Sequence, residues 1–150
     1  MKFSIEYKLQ EHGWAEVFIS DGETTIDSPV SYLHDSLREL AEMAISIKAG
    51  HKESKVVFMD EPGELLFLVT LEGEQANYEA RWYNDWASWG MGSESGFKPM
   101  LQGSCSSSRI VHQITKVLWH IHQNVGPEKY KELWGEHEFP VKLFTELANA

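Results

Sequence analysis

Cysteine is almost missing from this chain: Cys105 stands alone among 150 residues. No intrachain disulfide can close, no site built from several thiolates can form, and the reducing cytoplasm is the expected compartment. Cations are scarce as well, since 13 Lys and Arg face 23 Asp and Glu for a net charge of −10. Phosphate backbones and anionic lipid headgroups repel such a chain, and no cluster of basic residues offsets that repulsion. The expectation is therefore no nucleic acid and no membrane as partner. No apolar run approaches the ~20 residues needed to cross a bilayer. The start, Phe3-Ser4-Ile5-Glu6, alternates in character where an export signal needs continuous apolar residues. Gly90-x-Gly92 and Gly103 have no following Lys-Ser or Lys-Thr, so they make no phosphate loop, and no cofactor is expected.

The chain does contain ample apolar material. Hydrophobic residues make up 42% of it and six are Trp, enough for one core in a chain of single-domain length, with residues 1–150 read as one α+β domain.

Phe3, Ile5, Tyr7 and Leu9 alternate with polar residues, the pattern of a half-buried strand. Trp14 to Ser20 gives a second strand, and Asp21-Gly22 turns the chain into Thr24, Thr25 and Ile26. Ser28 as N-cap and Pro29 as first helical residue predict a helix over residues 29–49, with Leu33, Leu37, Leu40, Ala44 and Ile47 on one face and Gly50 at its end. Three strands should follow: Lys55 to Met59, Leu65 to Leu71 after the Glu61-Pro62-Gly63 turn, and an alternating segment around Tyr78, Ala80 and Trp82. Connections this short imply antiparallel pairing. Residues 85–106 show no period and read as a long loop carrying large apolar groups. Beyond it, Ser106, Ser107 or Ser108 caps a helix with an apolar stripe from Ile110 to Val125, and two shorter helices follow at Pro127 to Trp134 and Pro140 to Leu147. The expected fold is an antiparallel sheet of five to six strands, with two N-terminal meander strands before the first helix. A three-strand meander, the loop and two to three C-terminal helices complete it.

Reactive constellations are weak. His120 and His122 are two apart on a helix and point away from each other, and His112 lies about 12 Å from His120 along the axis, so no shared metal ion is expected. Cys105 precedes a helix, where the dipole could activate a thiol, but a small residue beside a cap is the ordinary role there. Asp35, Glu39 and Glu42 follow one side of the first helix and form a candidate electrostatic face for a basic protein. Trp86, Trp89 and Phe97, in the long loop, are candidate apolar anchors; Trp82 is in phase with Tyr78 and Ala80 and belongs to the core.

The stretch from the first helix through Asp60-Glu61-Pro62-Gly63 and the strands after it resembles a group of small bacterial proteins with no assigned biochemical activity. The likeness covers less than half of the chain and rests on the order of elements, so it carries no catalytic residue. In being small, acidic, α+β and poor in motifs, the chain is also similar to immunity proteins that neutralise bacterial toxins. The leading expectation is a non-enzymatic, immunity-like module that binds a protein through Asp35, Glu39, Glu42, Trp86, Trp89 and Phe97. Two alternatives stay open. One is a small enzyme or small-molecule binder with a pocket under the 85–106 loop, using Cys105 or His112; the other is a homodimer or larger homo-oligomer.

Overall fold

The computed structural model describes residues 2–10, 13–85, 97–134 and 137–148. They form two antiparallel sheets and four helices. β1 (Ser4–Leu9), β2 (Trp14–Ser20) and β3 (Thr25–Ser31) make the first sheet in chain order. After α1 (Ser36–Lys48), the strands β4 (Glu53–Met59), β5 (Glu64–Glu72), β6 (Gln75–Tyr83) and β7 (Phe97–Ser106) make the second, again in chain order. Three helices close the chain: α2 (Ser107–Asn124), α3 (Pro127–Trp134) and α4 (Val141–Ala148).

One apolar core draws on both sheets and all four helices. Period-2 alternation puts Ile5, Tyr7, Val17, Ile19, Ile26 and Val30 on the buried face of the first sheet, and Val56, Phe58, Phe67, Val69, Ala76, Tyr78, Ala80 and Leu101 on that of the second. Phe3 joins the sheets, stacking on Phe67 at 5.8 Å and meeting Tyr78 at 4.9 Å, while Tyr7 contacts Phe58 at 6.5 Å. From the helices come Leu37, Leu40 and Ala44 of α1, Ile110, Ile114 and Leu118 of α2, Tyr130 and Trp134 of α3, and Phe144 of α4.

Three expectations need correction. Ser28-Pro29 does not open the first helix, because both residues lie in β3. Gln10 N–H donates to Trp14 C=O at 2.8 Å, and the alternation of an antiparallel ladder then gives Glu16 to β1. Pro29, opposite Glu16, therefore turns its ring nitrogen away from β2, where it costs no ladder bond. The helix begins at Ser36, with Asp35 as its N-cap. Secondly, the first sheet has three strands before that helix, not two. Thirdly, residues 97–106 of the expected loop form β7. Arg81 pairs with Pro99 and Ala80 with Leu101, so Met100 is an extra residue. That bulge changes which parity faces out, from Phe97 and Pro99 to Gln102 and Ser104, and hides the strand period.

Candidate functional site

The three candidate carboxylates sit at the start of α1, as its periodicity requires, but in different surroundings. Asp35 accepts from the Arg38 amide at 3.4 Å and stands 3.7 Å from Nδ1 of His137. Glu39 accepts from the Val57 amide at 2.5 Å and lies 3.1 Å from Nε2 of His34. Ser36 Oγ donates to Val57 C=O at 2.6 Å. The first turns of α1 thus occupy both main-chain groups of Val57 on the outer edge of the second sheet. The hydrogen bond to Glu39 is the largest influence on His34 and raises its pKa, because it favours the protonated ring. Glu42 is exposed, with Arg38 Nε at 4.0 Å.

Phe97 opens β7, at the opposite edge of that sheet from α1 and its carboxylates. Trp86 and Trp89 lie outside the described residues. Phe97 and the proposed electrostatic face therefore lie at opposite edges of the sheet; about 14 Å, three strand spacings, separates β4 from β7.

Between those edges lies the side of the second sheet that turns away from the core. Leu66 pairs with Arg81, and Leu68 pairs with Glu79, which in turn faces Gln102. Leu66, Leu68, Arg81 and Phe97 are all half-buried. The Arg81 guanidinium lies 4.4 Å from the Phe97 ring centre, while its Nε donates to Glu79. Gln102 Nε2 donates to the other oxygen of Glu79 at 3.2 Å, and the Phe97 ring packs on Tyr83 at 5.7 Å. A shallow depression of about 470 Å³ crosses this face beside Leu68, Thr70, Asn77, Glu79 and Arg81. The face combines aliphatic area, a stacked arginine and polar groups held in place by one another. The sequence did carry one signal for it. Leu65 to Leu71 is nearly continuous apolar sequence, which implies apolar residues on both faces of a strand.

Cys105 is the penultimate residue of β7 and is only partly accessible. Burial pushes its thiol pKa up and outweighs the opposing pull of Arg109. That is the reverse of what an activated nucleophile requires. His112 is exposed on α2, His120 lines a groove beside β1, and His122 packs on Phe139 and Phe144 at 5.7 and 5.0 Å. Among the described residues, no three His, Cys, Asp or Glu side chains converge to hold a metal ion, and no helix is long and apolar enough to cross a membrane. Sequence reasoning passed over Trp119, which is 51% exposed and falls outside the apolar stripe of α2, with its ring 6.0 Å from Phe144.

No protein-family model matches the chain, and no curated protein matches it. A chain in the solved CdiA-CT/CdiI toxin and immunity complex from Enterobacter cloacae is similar to it with a TM-score of 0.48 and 6% identity, over 77% of this chain and 97% of that chain.

Proposed function

We propose that this protein is a non-enzymatic protein-binding module whose main contact surface is the outward face of β5, β6 and β7. The observation that carries the reading is the group of half-buried Leu66, Leu68, Arg81 and Phe97 on that face, with Arg81 stacked on the ring. Arginine and aromatic groups concentrate binding energy at interfaces, and arginine fixed over a ring loses little freedom when a partner arrives. Cys105, with its thiol raised by burial, gives no support to a nucleophile.

The net charge of −10 favours a partner with a basic contact surface. Exposed Glu42 supplies direct contact at the electrostatic edge, while Asp35 and Glu39, held by internal bonds, add their charge to the field. Phe97 is proposed as an anchor at the other edge, with Trp86 and Trp89 as further apolar anchors. An immunity-like role, in which one toxic protein is bound and held, is the specific form of this reading. Its support is the small, acidic, motif-poor character of the chain.

Affinity capture from the source cells tests it. The wild-type protein is expected to retain one stoichiometric partner, and Leu68→Glu and Arg81→Glu are expected to lose it while keeping the wild-type circular dichroism. Retention of the partner by both variants would contradict the assignment of the face.

A further inference from the structure

A sheet edge offers unpaired main-chain groups to any passing strand, and proteins usually block it. Among the described residues, three of the four sheet edges are blocked. On β4, Glu39 and Ser36 take the amide and carbonyl of Val57. β3 carries Pro29, and β7 carries Pro99 beside a bulge. β1 has neither proline nor bulge.

The bond from Gln10 N–H to Trp14 C=O sets the alternation along β1. Ser4, Glu6 and Lys8 address β2, whereas Phe3, Ile5 and Tyr7 direct their main-chain groups to the open edge. Arg109 Nε donates to the Phe3 carbonyl at 2.9 Å, as that geometry requires. Among the described residues, none bonds the outward amides and carbonyls of Ile5 and Tyr7.

Beside this edge runs a groove of about 370 Å³, walled on one side by β1 and on the other by Arg109, Gln113, Lys116, Val117 and His120 of α2. Those five residues share one face of the helix. Gln113 is 4% exposed as a residue and lines the groove, with its amide atoms not sealed off from it. An amide that opens into the groove can donate to and accept from a ligand lying there. Charge supplies the last constraint: Lys8, Arg109 and Lys116 line the groove with Glu6 as the single acidic residue, in a chain of net charge −10.

We propose that this groove receives an extended, acidic segment of a protein partner, which adds to the first sheet as a fourth strand. Its main chain pairs with Ile5 and Tyr7, Gln113 bonds a polar group of the segment, and its carboxylates face Arg109 and Lys116. A second copy of this chain is a poor occupant, because β1 against β1 would bring two basic grooves together. This site is separate from the outward face of the second sheet and goes beyond the binding role proposed there.

The test uses a blocked peptide alternating glutamate and threonine, with a lysine and threonine peptide as control, followed by amide NMR on the whole protein. The acidic peptide is expected to slow hydrogen exchange at the Ile5 and Tyr7 amides and to shift the Gln113 side-chain amide. Lys116→Glu is expected to weaken it by about tenfold or more, and Arg81→Glu to leave it unchanged. Lys116 is exposed and makes no internal bond among the described residues, so its replacement leaves the fold intact. Unchanged Ile5 and Tyr7 amides at saturating peptide, or equal binding of the lysine peptide, would overturn the proposal. So would a concentration-dependent dimer in which those amides are protected without peptide. If the peptide fails while Arg81→Glu still abolishes partner capture, the groove alone is refuted.

Discussion

Single residues carry several of the tightest constraints in this fold. His34 has its pKa raised in the folded state, first through its hydrogen bond to Glu39. The stabilisation is therefore complete below the unfolded histidine value of about 6.5 and is lost as pH rises through the higher folded value. Glu39→Gln keeps an oxygen for the Val57 amide and removes the charge. Urea midpoints measured on either side of neutrality should fall with pH less steeply in Glu39→Gln than in the wild type, and equal slopes would refute the linkage. Cys105 should react with iodoacetamide more slowly than a free thiol at mildly alkaline pH, because burial holds its proton; faster alkylation would restore the nucleophile reading. Gly103 lies under the Tyr78 ring, where an added Cβ would come within 2.5 Å of Oη. Gly103→Ala should destabilise by about 1–3 kcal/mol in denaturant titration, because Tyr78, packed against Phe3 and Phe67, has little room to move.

At the scale of elements, the alternation of β1, β2 and β6 and the stripe of α2 are legible because in each one face meets the core and the other meets water. The errors arise where another constraint overrides the local signal. Ser28-Pro29 has the chemistry of a helix start, but Pro29 is tolerated in β3 because its nitrogen points off the sheet edge. β7 contains Pro99, Gly103 and a bulge, each of which lowers a strand signal, and its partner β6 supplies the pairing that sequence cannot display. Of the candidate site, the three carboxylates were legible as a helix face. Their division into two that hold α1 and one that meets solvent depends on Val57, His34 and His137, which are distant in sequence. Removing the internal contact should show the difference. Glu39→Ala leaves the Val57 amide without its acceptor and should destabilise by about 1–3 kcal/mol, whereas Glu42→Ala should change stability by less than about 0.5 kcal/mol. Similar losses for both, measured by urea denaturation, would contradict that division.

On the scale of the whole molecule, the two sheets and four helices spend their apolar residues on one shared core and leave two unlike surfaces. The outward side of β5 to β7 combines leucines with an arginine stacked on Phe97, and the groove beside β1 gathers cations in an otherwise acidic chain. Both are proposed as contact sites, one through apolar and aromatic area and the other through charge. The central claim is that binding runs through the outward sheet face. Its most direct test is calorimetric titration of the purified protein with its captured partner, comparing wild type with Leu68→Glu. The account predicts a loss of affinity of about thirtyfold or more, corresponding to about 2 kcal/mol for a charge placed in the centre of the contact. An unchanged dissociation constant, in a variant with wild-type circular dichroism and urea midpoint, would contradict it.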